Sequence, residues 1–111
     1  MDRSPSDYVI VITTCPTQAE ATRAASALIE KRLAACVQAN PITSIYRWQG
    51  AVETAEEIRL LIKARGADYD AIEALLKATL SYENPEILAI PVTRGSRLYF
   101  DWIDLETNRD Q

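Results

Sequence analysis

The chain has 111 residues, 48% of them hydrophobic and 25% charged, with a net charge of −4 and no histidine. That length fits one domain able to bury a core without disulfides or metal, and the acidic balance argues against nonspecific binding to nucleic acid or an anionic membrane. Without histidine the commonest general base and metal ligand is missing, which excludes Ser-His and Cys-His nucleophiles and imidazole-based zinc sites.

Residues 8–14 (YVIVITT) form a β-branched run suited to a buried strand. Cys15-Pro16 ends it, and Thr17 with Glu20 has the capping-box spacing. The helix that follows is predicted to reach about Arg32, with Ala21, Ala25, Leu28, Ile29 and Leu33 on its buried side. From Cys36 to Arg65 the pattern is that of two long strands meeting near Gln49-Gly50. In the second, Ile58, Leu60, Ile62 and Ala64 point one way, and Arg59, Leu61, Lys63 and Arg65 the other. An arm of ~13 residues spans roughly 40 Å, about twice an ordinary strand. A domain of this size has a radius of gyration of only ~13 Å, so it cannot cover such a ribbon alone. Ile45, Tyr46 and Trp48 near the tip are costly to leave in water, which calls for a second copy of the chain.

Gly66-Ala67-Asp68 breaks the strand, and Ile72, Leu75, Leu76 and Thr79 trace the inner stripe of a second helix. Residues 80–86 read as a polar loop, 87–93 as a last apolar strand, and Tyr99, Trp102 and Leu105 mark a short final helix before a charged tail. No linker divides the chain, so one domain is expected over residues 1–111, ordered from about 8 to 106. The order β-α-β-β-α-β plus a helix is that of an α+β ferredoxin-like sandwich, with both main helices on one face of a four-stranded antiparallel sheet. Right-handed crossovers then place Cys15 and Cys36 at opposite ends of the sheet, ~20 Å apart, too far for a disulfide. No apolar run approaches a membrane span, and the polar start is not a signal peptide, so a cytoplasmic address with reduced thiols is expected.

The runs RLAACVQANPITSIYRWQG (32–50), EEIRLLIKAR (56–65), SYENPEILAIPV (81–92) and YFDWI (99–103) resemble the CutA family of divalent-cation-tolerance proteins over residues 8–106. The resemblance implies the same ferredoxin-like fold, assembled as a homotrimer like the PII signalling proteins, and a non-enzymatic role in tolerance to copper and other divalent metals. It also implies cation binding, with Cu or Zn as the candidate ions. One departure stands out. Many relatives carry one or two histidines where this chain reads Leu80-Ser81-Tyr82, and some have a cysteine at the position of Thr13, whereas this chain has Cys15.

The residues themselves supply other candidates. Cys36 would be a thiolate ligand for a soft ion, or, as the composition around it favours, a small apolar side chain in a packed strand. Cys15, at a strand-to-helix turn, would be a reactive thiol or a structural one. Glu83 and Glu86, beside Tyr82, offer oxygen ligands to a hard cation or Zn²⁺; Glu86 would otherwise set the strand start. Lys63, in mid-strand, calls for a salt bridge to Glu86 or to Glu53 of another copy, or for an anionic effector in a cleft between subunits. Tyr46, Trp48 and Trp102 read as oligomer anchors or as stacking platforms. Glu56 and Glu57 face opposite sides of their strand, and Asp101, Asp104 and Glu106 belong to a solvated helix face. A PII-like module binding a small effector is the competing function. An RNA-recognition role lacks the basic, Phe-rich sheet, and no phosphate-cradling glycine loop supports an enzyme.

Overall fold

The computed structural model of the chain describes residues 7–109. Its elements are β1 (Tyr8–Cys15), α1 (Gln18–Glu30), β2 (Cys36–Trp48), β3 (Ala51–Arg65), α2 (Tyr69–Thr79), β4 (Ile87–Pro91) and α3 (Arg97–Glu106), with one 3₁₀ turn at Gly66–Asp68. The sheet order is β2-β3-β1-β4, and every neighbouring pair is antiparallel. This is the expected α+β sandwich. β4 ends two residues short of expectation, at Pro91, which cannot donate to a ladder.

Alternation along β1 and β3 builds the core. Val11 and Cys15 on β1 and Leu60, Ile62 and Ala64 on β3 are fully buried, facing Ala21, Ala24 and Leu28 of α1 and Ile72 and Leu76 of α2. Each buried leucine or isoleucine stabilises the fold by about 1.5–3 kcal/mol. The inner stripe of α1 is therefore 21-24-28, not the expected 21-25-28-29: Ile29 is 44% exposed and Ala25 half-buried. The small side chains let α1 lie close to the sheet, and a rotation of one position decides which alanine faces it. Thr17 caps α1 by accepting from the Glu20 amide. The helix ends in a Schellman arrangement, with Leu33 N–H donating to Leu28 and Arg32 N–H to Ile29, and Arg32 at φ 56 in the place glycine usually takes.

The hairpin tip closes with Gln49 at φ 50 and Gly50 at φ 84, the two positive values that a type I′ turn requires. β2 and β3 pair in unbroken register from Cys36↔Lys63 to Trp48↔Ala51. Beyond Ile58 the ribbon outruns the helices. The molecule measures 50 × 26 × 21 Å, with a radius of gyration of 14.8 Å, above the ~13 Å of a compact chain of this size.

α3 packs on the other face of the sheet. Phe100 stacks on Tyr8 at 4.2 Å, and the Tyr8 hydroxyl donates to the Asp104 carboxylate at 2.8 Å. Asp104 is thus an anchor and not part of a solvated face. Gly95 makes room for this docking, since a Cβ there would lie 2.6 Å from the Phe100 ring. The segment expected as a charged tail is pinned as far as Arg109, whose guanidinium grips the buried Asp68 at 2.6 Å.

The α1 stripe is checked by two truncations. Leu28→Ala is expected to cost about 2–5 kcal/mol, seen as a lower urea midpoint, and Ile29→Ala less than about 1 kcal/mol. Equal losses would restore the stripe read from sequence.

Candidate functional site

Thr14, next to last in β1, stands opposite Arg59, and Glu57 lies two residues from Arg59 on the same face of β3. Tyr82, in the loop before β4, donates its hydroxyl to Glu57 Oε2 at 2.7 Å. Burial alone would raise the Glu57 pKa, but hydrogen bonds from Ser44, Tyr82 and Thr14 outweigh it and hold the carboxyl below its ordinary value. The Tyr82 phenol is pushed up by burial and by the Glu57 carboxylate it donates to. A single carboxylate therefore gathers β1, the hairpin arm and the loop.

Two further bonds fix that loop. Thr13 Oγ1 donates to the Glu86 carbonyl at 2.6 Å. The Glu20 carboxylate accepts from the Ser81 hydroxyl at 2.7 Å and the Ser81 amide at 2.8 Å. These bonds, the hydroxyl's first, hold the Glu20 pKa below its ordinary range. Glu20 therefore completes the helix cap only halfway, its side chain serving Ser81.

Above Glu57 opens a cleft of about 650 Å³. The arm supplies Ser44, Tyr46, Arg47 and Trp48 to its wall, and the loop supplies Tyr82, Glu83, Asn84 and Glu86. Five of the sequence candidates (Tyr46, Trp48, Tyr82, Glu83 and Glu86) thus come together. Thr14, Ser44, Arg47 and Glu57 line the same cleft and were missed. The only signal in sequence was Glu57 itself, an acidic residue on the face that it shares with Arg59; its hydroxyl partners come from three distant segments.

The other candidates lie elsewhere. Cys15 is fully buried, and its thiol is raised to about 11 by burial first and then by the charges of Glu20 and Glu57. Such a thiol is a poor source of thiolate at neutral pH. Cys36 is half-buried at the far end of β3, opposite Lys63, whereas Cys15 is opposite Ile58. The two free thiols are ~20 Å apart, as expected. Lys63 sits opposite Ile10, whereas Glu86 precedes the Thr13↔Ile87 pair, roughly 13 Å away along the strand. The expected Lys63–Glu86 salt bridge within the chain is therefore ruled out by register. Lys63 Nζ instead lies 5.7 Å from the centre of the Tyr99 ring, and Trp102 stands against that ring at 5.5 Å. Among the described residues no three Cys, Asp or Glu side chains converge in a metal-holding group, and no helix is long and apolar enough to cross a membrane.

Residues 9–106 match the model of the CutA1 divalent ion tolerance protein family. The chain belongs to that family. It is 43% identical to the divalent-cation tolerance protein CutA of Archaeoglobus fulgidus over 91 residues, covering 82% of this chain and 89% of that one. To the protein of the same name from Thermus thermophilus it is 43% identical over 95 residues, covering 85% and 92%. A solved structure from Archaeoglobus fulgidus, described as the periplasmic divalent cation tolerance protein CutA, superimposes with a TM-score of 0.90 at 39% identity, over 91% of this chain and 99% of that one. The CutA1 fold is thus the ferredoxin-like sandwich built above, and its family name denotes a tolerance and not a reaction. That relative also corrects the cytoplasmic address: a CutA named periplasmic shares this fold, so a polar N-terminus and reduced thiols do not place the chain in the cytoplasm.

Because Glu57 has a depressed folded-state pKa, the stability its hydrogen bonds add is present above its ordinary value of 4.5 and is lost as pH falls through the folded value. Tyr82→Phe is expected to cost about 1–2 kcal/mol at pH 7, with the gap to wild type closing in denaturant titrations below pH 4.5; a gap independent of pH would show that Tyr82 does not act through the carboxylate. For the thiols, alkylation at pH 8 is expected to modify Cys36 well before Cys15, followed by mass spectrometry of the digested protein.

Proposed function

We propose that the chain acts as a homotrimer in divalent metal tolerance, without catalysing a reaction. The observation that carries the assembly is the ribbon. Ile45 and Val52, on one face of the hairpin, are 73% and 63% exposed, and Leu88 and Ile90 on the edge strand β4 are exposed as well. Apolar surface of this kind is the mark of an interface. β2 and β4 are also open sheet edges with unpaired backbone groups, which natural proteins cover. The number three comes from the CutA resemblance, and the tolerance role from the family name.

Direct metal binding by one protomer would fall to the oxygens of Glu83 and Glu86 at the cleft mouth, with Cys36 as a separate soft site. Buried Cys15 fits that role least. The second reading is an effector module of the PII kind, favoured by the cleft itself, whose volume lies in the range of small-molecule sites.

Sedimentation equilibrium at low micromolar concentration is expected to give three times the 12.4 kDa protomer mass, and Val52→Glu to shift the protein toward single protomers. A wild-type monomer would overturn the assembly. Calorimetric titration with Cu²⁺, Zn²⁺ and Cd²⁺ separates direct from indirect tolerance: direct binding gives saturable heat at micromolar metal, weakened in the Glu83→Gln, Glu86→Gln double variant.

A further inference from the structure

We propose that Arg59 and Glu53 form an ion pair between sister copies, the guanidinium on one sheet meeting the carboxylate on the next copy's ribbon. The inference rests on the assembly proposed above and names a pair inside its interface.

Arg59 is a half-buried cation in want of an acceptor. It shares the outer face of β3 with Lys63 and Arg65, the face turned away from α1 and α2. Lys63 lies against the Tyr99 ring. Arg65 Nε lacks a hydrogen bond but has Asp68 at 3.5 Å. Arg59 has neither relief: its Nε is buried with no hydrogen-bond partner, and among the described residues no ion pair includes it. The residues across from it, Thr14 and Asn40, are neutral. Glu57, two positions along, receives the Tyr82 hydroxyl instead. A buried donor left unpaired costs the full desolvation of that group, and more where the group is charged.

The surface beside Arg59 is free for a sister copy. Leu61, Ile12 and Leu88 run across the same face of the sheet, and Leu88 is 58% exposed. α3 covers only the end of that face near Tyr8 and Lys63. The complement lies on the far half of the ribbon. Glu53 stands opposite Tyr46, exposed, and among the described residues no ion pair includes it either. Glu56 points to the other face and already accepts from the Thr43 hydroxyl at 2.7 Å. Covering the ribbon would therefore bury Glu53 as an unmatched charge unless a cation meets it.

One protomer cannot make this pair, because residues 53 and 59 are ~20 Å apart along a single strand. A cyclic ring can. Its contacts are head-to-tail, so different patches of two copies meet, and closure repeats the pair at every interface. The planar fork of arginine takes a carboxylate through two parallel hydrogen bonds, which gives the orphaned Nε an acceptor.

The test is sedimentation equilibrium of wild type, Arg59→Met, Glu53→Gln and the double variant, the fold of each checked by circular dichroism. Each single change is expected to raise the protomer concentration at which the assembly dissociates by about tenfold or more. The double variant is expected to lose no more than the worse of the two. Exchanging the charges, Arg59→Glu with Glu53→Arg, is expected to recover most of the association that Arg59→Glu alone loses. An Arg59→Met protein that assembles like wild type, additive losses in the double variant, or coupling of Arg59→Met to Glu57→Gln in place of Glu53→Gln would each overturn the pair and leave the assembly standing. A wild-type monomer would overturn both. If Arg59→Met does not fold, Glu53→Gln and the charge exchange decide, since Glu53 is exposed in the protomer.

Discussion

A β-ribbon longer than the domain that carries it governs this molecule. Arms of 13 and 15 residues pair without a break, yet the helices cover only the half near β1. The far half has both faces and both edges in water. A two-stranded ribbon is marginal by itself, and exposed Ile45 and Val52 make it worse. The regular I′ turn and unbroken register show a sequence that specifies this ribbon strictly, and in the proposed assembly sister copies supply its burial.

The cleft is a consequence of the same geometry. Where the ribbon leaves the domain, β1 ends at Cys15 and the loop from α2 turns into β4. Three backbone directions diverge there, and side chains fill the gap. The Tyr82 hydroxyl ties the loop to Glu57 on the arm, while the Glu20–Ser81 and Thr13–Glu86 bonds hold the loop from behind. An assembly that orders the arm would therefore also order the outer wall of the cleft, Tyr46 and Trp48 included.

The fold was legible because it rests on short-range periodicity. Alternation from Ile58 to Ala64, the Gln49-Gly50 tip and the Gly66 break each depend on neighbours in sequence. The α1 stripe was misread because a run of alanines has nearly equal claims on adjacent positions; only packing into the core that holds Val11 and Leu60 chooses Ala24. The site was half legible. Aromatic residues on the arm and carboxylates around Pro85 announce themselves by type, but Thr14 and Ser44 are ordinary strand residues until the fold turns them toward Glu57. Lys63 shows the opposite failure: a half-buried charge in mid-strand demands a partner, and nothing local foretold that a C-terminal helix would bring Tyr99 to it. Asp104 was assigned to solvent for the same reason, since Tyr8 lies 96 positions away.

Amide hydrogen exchange along β2 addresses the central claim most directly. Every second amide between Ile42 and Trp48 points away from β3. If sister copies cover the ribbon, these outward amides exchange nearly as slowly as those of Leu60 and Ile62 in the core. Exchange of the outward set within seconds, at concentrations where the protein is fully folded, would mean a ribbon bare in water and would contradict the account.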